Sequence, residues 1–192
     1  LNSENYSFDM NTSSIGSINF SSLRGVAYNG EFFALGETDN KNIYIWKGIP
    51  GLNDEPDYII QNPVGVGRID MNDEWLVVSA YPGAGSPVHV INLTNLDSGI
   101  MLPVPGNDDF PQGVSINEKG FFIALQGSNK VVGWSSVQDA LNGSSPTMSF
   151  GGTTNKTNSG TKMASTVHWD GFHLWVGEFK FSNRLLGFAP PK

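Results

Sequence analysis

Residues 167–178 read VHWDGFHLWVGE, and residues 183–188 continue with NRLLGF after a short polar connection. Apolar residues alternate with other residues along both arms of the first segment, which is the pattern of a half-buried β-strand. Asp170 and Gly171 stand between the arms, where a hairpin of two antiparallel strands reverses direction. This stretch therefore predicts three successive antiparallel strands.

Similar stretches occur three more times upstream. Each begins with an apolar strand that ends in an anchor residue, Asn or Asp, and the anchors are Asn29, Asn72, Asn117 and Asp170. They lie roughly 45 residues apart, a period typical of propeller blades. Two further strands follow each anchor, and the first three copies add an outer strand at 58–60, 100–102 and 147–150.

The repeats predict an all-β protein, a β-propeller of four-stranded antiparallel blades within one domain spanning residues 1–192. The blades are expected at about 22–61, 66–104, 111–151 and 163–192. The 23 glycines and 11 prolines also favour short strands joined by turns. One short helical turn is predicted over residues 136–141.

The fourth copy has no outer strand of its own in the sequence. Residues 5–10 contain Tyr6 and Phe8 in alternation and resemble the outer strand of the third copy. Paired with the last blade, they would close a four-bladed ring and remove its open edge. The same count of strands also fits a chain that forms part of a larger ring, so both arrangements stay open.

The first copy carries a recognisable order of motifs, RGVAY at 24–28, NIYIWKGIP at 42–50 and NDEPDYII at 53–60. Together with NKVV at 129–132 and NRLL at 183–186, it resembles the NHL-like repeats of secreted prokaryotic propellers. The resemblance implies the propeller fold and says little about function. The second copy departs from it, because PGAGSP occupies residues 82–87.

Composition excludes several classes of protein. A net charge of -7 and a pI near 4.8 disfavour binding to nucleic acid or anionic lipid. The absence of cysteine excludes disulfides and thiolate metal sites. No apolar run is long enough for a membrane span, and the chain begins at Leu1 without a signal-like segment, which predicts a processed form or a fragment.

Six Asn-x-Ser/Thr sequons are candidates for glycosylation. They start at Asn5, Asn11, Asn19, Asn92, Asn142 and Asn155. Because Asn, Ser and Thr are also common in turns, their number only mildly favours a glycoprotein. We expect an extracellular or cell-surface location.

Glu37 and Glu178 occupy the same position after the second strand of their copies, where loops converge on a propeller channel. Two carboxylates there could bind calcium through oxygen atoms. Solvated turn residues are the alternative interpretation. His168 and His173 flank the Asp170 turn and are expected to pack in the hairpin rather than to hold a metal.

Tyr81 and Phe179 are aromatic residues in loops, and Asp109 lies in an acidic loop, so these three are candidate ligand-binding residues. No serine-hydrolase elbow, phosphate loop or zinc-protease motif is present, and no catalytic residue is assigned. The sequence thus favours an extracellular binding, adhesion or structural module with protein or glycan partners, including self-assembly. The alternative is a metal-dependent propeller hydrolase or lyase with its site at the channel.

Overall fold

The computed structural model describes residues 11–81, 85–96, 99–104, 110–152, 160–179 and 184–189. Within them the chain forms four antiparallel sheets arranged as a four-bladed β-propeller, preceded by a small hairpin. The prediction of an all-β propeller with antiparallel blades is confirmed. Among the described residues, no helix is long and apolar enough to cross a membrane.

The strands follow one another across each sheet in chain order. The hairpin consists of β1 (Ser14–Ile15) and β2 (Ile18–Asn19). Blade 1 consists of β3 (Leu23–Tyr28), β4 (Phe32–Glu37), β5 (Asn42–Lys47) and β6 (Tyr58–Gln61). Blade 2 consists of β7 (Val66–Met71), β8 (Trp75–Ala80), β9 (Val88–Asn92) and β10 (Gly99–Leu102).

Blades 3 and 4 repeat this order. Blade 3 consists of β11 (Pro111–Asn117), β12 (Gly120–Leu125), β13 (Lys130–Trp134) and β14 (Met148–Gly151). Blade 4 consists of β15 (Ala164–Trp169), β16 (Leu174–Glu178) and β17 (Leu185–Phe188). The short helix α1 (Val137–Leu141) is capped by Ser136, whose Oγ accepts a hydrogen bond from the Asp139 N–H. The predicted helical turn is confirmed.

The turn after each innermost strand is held by one anchor side chain. The Oδ1 atom of Asn29 accepts hydrogen bonds from the N–H groups of Glu31 and Phe32, at 3.0 and 2.7 Å. Equivalent bonds are made by Asn72, Asn117 and Asp170. The repeated Asn or Asp therefore has a structural role, since its side chain replaces a backbone acceptor in a tight turn.

Each innermost strand also begins with a shift in register against the second strand. In blade 1 the shift lies between Leu23 and Gly25. The corresponding shifts lie at Val66/Ile69, Pro111/Gly113 and Ala164/Thr166. Such a bulge increases the local twist of a strand, and its recurrence gives the four blades equivalent positions along the central channel.

Neighbouring blades pack through apolar side chains of facing sheets. Ala34, Ile43 and Ile45 of blade 1 form a buried cluster with Ile69 and Leu76 of blade 2. The next two interfaces contain Val77, Val90, Val114 and Phe121, and then Ala124, Val131, Val167 and Val176. Each interface thus joins the second face of one blade to the first face of the next.

The first face of blade 1, which points away from blade 2, is covered by the β1–β2 hairpin. Ile15 is buried there against Leu35, Tyr44 and Trp46. Val26 lies on the same face beside the channel and is 61% exposed. Its equivalents in the other blades are buried: Ile69, Val114 and Val167.

Among the described residues, the contact that joins neighbouring blades is not repeated between the last blade and the first. Innermost strands of neighbouring blades contact one another along β3–β7, β7–β11 and β11–β15, and no comparable contact joins β3 to β15 among the described residues. The closing strand predicted at residues 5–10 lies outside the described residues. Closure of the ring by that strand, and the single-domain division, therefore stay predictions.

Candidate functional site

The innermost strands of all four blades line a central channel. A cavity of about 430 Å³ lies between them. Its lining consists of Val26, Arg68, Ile69, Asp70, Gly113, Val114, Thr166, Val167 and His168. The channel is the place where side chains from four separate blades come together, so it is the candidate functional site.

Two sets of equivalent positions supply the channel. The set at the bulge consists of Gly25, Arg68, Gly113 and Thr166. The next set consists of Ala27, Asp70, Ser115 and His168. Charged and polar side chains are therefore concentrated in blades 2, 3 and 4, while blade 1 contributes small residues.

The second set links neighbouring blades by hydrogen bonds. The Oδ2 atom of Asp70 accepts from the N–H of Ile116 at 2.9 Å, and the Ser115 Oγ accepts from the N–H of Trp169 at 3.2 Å. Burial raises the pKa of Asp70 above its ordinary value, and the bonds from the N–H groups of Ile116 and Met71 oppose this rise. Asp70 and Ser115 act as cross-links between blades at the channel wall.

Two arginines lie at the bulge end of the channel. The guanidinium of Arg24 lies 3.5 Å from the centre of the Tyr81 ring, within the range of a cation–π interaction. Arg68 donates through Nη1 to the backbone oxygen of Arg24 at 3.2 Å. One arginine, Arg24, therefore lies on the ring of Tyr81, and Arg68 is held against the backbone of Arg24; the sequence did not predict either arginine as a site residue.

Glu37 is fully buried, with 0% exposure. Its Oε1 accepts from the Ser21 hydroxyl at 2.6 Å and from the Ser22 N–H at 2.8 Å, and its Oε2 accepts from the Asn40 N–H at 2.5 Å. Burial raises the pKa of Glu37, but the bonds from Ser21, Asn40 and Ser22 outweigh it and hold this pKa below its ordinary value. The carboxylate is thus ionised and fixes the loops at the end of β4.

Glu178 is buried in the same position of blade 4 and forms an ion pair. Arg184 donates to both of its carboxylate oxygens at 2.8 Å, and the Lys162 N–H donates to Oε1 at 2.6 Å. The bond to Glu178 raises the pKa of Arg184. The Glu178 carboxylate thus bonds to donors of its own blade, as the Glu37 carboxylate does in blade 1.

Among the described residues, no further metal ligands join the two carboxylates of the predicted calcium site. Glu37 and Glu178 bond to separate sets of donors, each in its own blade. Within the part of the chain that the structure describes, no group of three or more His, Asp or Glu side chains could hold a metal ion. Calcium binding by these two residues stays a prediction.

The other predicted ligand-binding residues do not join the channel. Phe179 is 49% exposed, and its N–H donates to the backbone oxygen of Met163 at 3.1 Å. Asp109 lies outside the described residues. Ligand binding at Tyr81, Phe179 and Asp109 stays a prediction.

The three histidines have different surroundings. His89 is buried, which lowers its pKa, and its Nδ1 has no hydrogen-bond partner among the described residues. His168 is exposed and lines the channel cavity. His173 is also exposed, with its Nδ1 3.9 Å from Asp170. The ring of His173 packs within the hairpin against Trp175, with 5.6 Å between ring centroids. Both His168 and His173 are nevertheless exposed, because their face of blade 4 has no neighbouring sheet among the described residues.

Four of the six sequons fall on described residues. Asn11 and Asn19 are exposed. Asn92 accepts bonds from the N–H and hydroxyl of Thr94, and Asn142 accepts one from the Gln138 amide. Asn5 and Asn155 lie outside the described residues. Glycosylation stays a prediction at all six.

The Asp170 anchor offers a direct test of the turn geometry. The indole N–H of Trp175 donates to its Oδ2 at 2.7 Å, and the N–H groups of His173 and Phe172 donate to Oδ1. These bonds lower the pKa of Asp170 to about 2. In a carbon-detected NMR titration of the Trp175→Phe variant, we expect the midpoint of Asp170 to rise towards its ordinary value. An unchanged midpoint would contradict the role of Trp175.

Comparison with known proteins agrees on the fold. No protein-family model and no curated protein sequence matches this chain. The designed protein Ika4 is similar over 95% of this chain and 100% of its own, with 9% identity and a TM-score of 0.62. The propeller domain of Myceliophteria thermophila Cps50 (Swd1) is similar over 88% of this chain and 53% of its own, with 12% identity and a TM-score of 0.62.

The designed protein Ika8 is similar over 92% of this chain and 50% of its own, with 11% identity and a TM-score of 0.58. This chain therefore spans the whole of Ika4 but about half the length of Ika8 and of the Swd1 propeller domain. At such identities the likeness shows the β-propeller fold alone.

Proposed function

We propose that this chain is a binding or structural module of a cell surface or extracellular assembly, built from NHL-like repeats. The propeller fold is compatible with protein binding. The net charge of -7 and the exposed sequons at Asn11 and Asn19 support an extracellular location. The proposal assigns the protein an interaction rather than a reaction.

The observation that carries the proposal is the position of the exposed apolar side chains. On β3 of blade 1, Leu23 is 44% exposed and Tyr28 is 47% exposed, in addition to Val26. In blade 4, Phe172 and Leu185 are 75% and 68% exposed. Grouped apolar side chains on a surface indicate a site of protein interaction.

The partner that this geometry favours is a second copy of the chain. Within the chain, the second face of each of the first three blades packs on the first face of the next. Blade 4 presents a second face that carries Leu185 and Trp175, and blade 1 presents Val26 beside the hairpin. A head-to-tail contact between the second face of blade 4 in one copy and the part of blade 1 beside the hairpin in another copy would bury both groups.

Sedimentation velocity over a range of protein concentrations tests this association. We expect the wild-type chain to self-associate, and Val26→Asp or Leu185→Asp to weaken association at least about tenfold, because each buries a charge in the contact. Ile100→Asp is the matched control, since Ile100 is 53% exposed on the outer strand of blade 2. A wild-type chain that stays monomeric at every concentration would contradict self-association.

The location is tested separately on cells of the native source. Protease added to intact cells is expected to degrade the protein if it lies at the surface. The intact mass of the purified protein should exceed the 20.8 kDa of the polypeptide by hexose-sized steps if the sequons carry sugar. Protection from protease together with a bare mass would argue against an extracellular protein.

A further inference from the structure

Two arginines, Arg24 and Arg68, lie at the bulge end of the channel. Neither Arg24 nor Arg68 forms an ion pair with any described residue, whereas Arg184 is paired with Glu178. An unpaired guanidinium next to a cavity offers several N–H donors in a planar fork. Arg68 lines this cavity, and its guanidinium contacts the backbone of Arg24.

Both guanidinium groups are held in place before any ligand arrives. Arg24 lies on the ring of Tyr81, and the Tyr81 N–H donates to the backbone oxygen of Gly65 at 3.4 Å. Arg68 is fixed by its bond to the Arg24 backbone oxygen. Donors that are already ordered lose less conformational entropy when they bind.

The channel leaves space beside Arg68. The equivalent positions in the other blades carry Gly25, Gly113 and Thr166, so Arg68 has the one charged side chain among these four. Arg68 and Thr166 both line the cavity of about 430 Å³. That volume is within the range of small-molecule sites.

Among the described residues, the nearby carboxylate of Asp70 forms no ion pair with either arginine. Asp70 directs Oδ1 to the N–H of Met71 and Oδ2 to the N–H of Ile116. Both oxygens therefore accept from backbone donors, and Asp70 lies two residues along β7 from Arg68. His168 lies in the same cavity and adds a ring nitrogen that can donate.

We propose that the bulge end of the channel binds a small ligand carrying an oxyanion, a carboxylate or a phosphate, through the guanidinium groups of Arg68, which lines the cavity, and of Arg24, whose backbone oxygen Arg68 contacts. The planar fork of arginine matches both groups and can bind them through two parallel hydrogen bonds. This site stands on the channel residues alone and does not depend on where the protein is located. It also gives Tyr81 the role of supporting Arg24.

The test is a titration of the purified chain followed by backbone amide NMR. Glucuronate and inorganic phosphate are the two probes, and glucose is the neutral control. We expect saturable shifts of amides in β3 and β7 with at least one probe and none with glucose. Glucuronate alone would identify a carboxylate-bearing sugar as the ligand class, and phosphate alone would identify a phosphate ester.

Variants locate the binding. Arg68→Gln and Arg24→Gln should each weaken binding about tenfold, since each removes charge-assisted hydrogen bonds. Arg68→Lys keeps the charge but loses the planar fork of donors. Its affinity for the probe should therefore lie between those of the wild type and Arg68→Gln. Lys119→Gln is the matched control, because Lys119 is exposed and lies outside this cavity. Circular dichroism checks that each variant is folded. If Arg24→Gln is not folded, the affinity of Arg68→Gln alone decides the test.

Three results would overturn the proposal. They are the absence of saturable shifts with both probes, unchanged affinity in Arg68→Gln, and an equal loss in Lys119→Gln. The last of these would mean that the probes respond to overall charge and not to this site.

Discussion

Replacing Phe121 with alanine is expected to lower the free energy of unfolding by about 4 kcal/mol. Phe121 is 0% exposed in the cluster between blades 2 and 3, and its ring stacks on Trp134 with 5.6 Å between centroids. Alanine would remove the buried apolar surface and leave a cavity that the surrounding strands cannot fill. The loss is measured by urea unfolding followed by tryptophan fluorescence.

Phe172→Ala is the matched control, because Phe172 is 75% exposed in the turn between β15 and β16. The same change in side chain should alter stability by less than about 0.5 kcal/mol at such a surface position. Equal losses in the two variants would mean that the interface between blades 2 and 3 is not packed as described.

The packing that this experiment tests follows directly from the alternation in the sequence. Phe121 and Ile123 point to one side of β12, and Phe122 and Ala124 point to the other, because successive side chains alternate across a strand. Both sides are apolar, so both faces of the blade need a neighbour. This is why the order of strands and the propeller fold could be predicted from the repeats alone.

The positions of the anchor residues could be predicted from the sequence, but the hydrogen bonds that their side chains make could not. The sequence shows Asn29 and Asp170 at equivalent positions, and it indicates a turn because these residues favour turns. The structure adds that the side-chain oxygen accepts from the backbone two and three residues later. Periodicity identifies the position, whereas the bond depends on the backbone path.

The channel residues could not be predicted for a different reason. Arg68 and Asp70 lie on one strand and His168 is far from them in the sequence, and alternation tells only which side of its own strand each side chain takes. Their meeting depends on the bulge at the start of every innermost strand, because an extra residue there resets which side chains face the channel. The sequence does contain the signal, a basic residue where two other blades have glycine.

Glu37 and Glu178 illustrate a partial success. Their equivalence was predicted correctly, since Glu37 pairs with Leu23 and Glu178 with Ala164 in the same register. The same position carries Ala80 and Leu125 in the other blades, and both are buried. A buried carboxylate needs donors, and only the loop structure shows that backbone N–H groups, a serine hydroxyl and an arginine supply them.

Replacing Glu37 with alanine is expected to lower the free energy of unfolding by about 3 kcal/mol at neutral pH. The change leaves the N–H groups of Ser22 and Asn40 without their acceptor, while the Ser21 hydroxyl keeps Asp39 Oδ2 as an acceptor at 3.1 Å. Glu31→Ala removes the same charge from an exposed position of the neighbouring turn and should have little effect. Equal losses in Glu37→Ala and Glu31→Ala would contradict the structural role.

The dependence of this loss on pH has a definite sign. The pKa of Glu37 in the folded protein is below its ordinary value of 4.5. Its stabilisation is therefore fully present above pH 4.5 and disappears as the pH falls through the lower, folded-state pKa. The difference in unfolding free energy between the wild type and Glu37→Ala should shrink over that acidic range, and a constant difference would contradict it.

Thermal unfolding with added calcium and with a chelator separates this role from the predicted metal site. A bound ion would stabilise the wild type by mass action and would have no such effect on Glu37→Ala. The hydrogen bonds from Ser21, Ser22 and Asn40 instead predict the same loss in both conditions. Because both carboxylate oxygens of Glu178 already accept from Arg184, Glu178→Gln should likewise lose stability whether or not calcium is added. A melting temperature that rises with calcium only when both carboxylates are present would instead support the predicted calcium site.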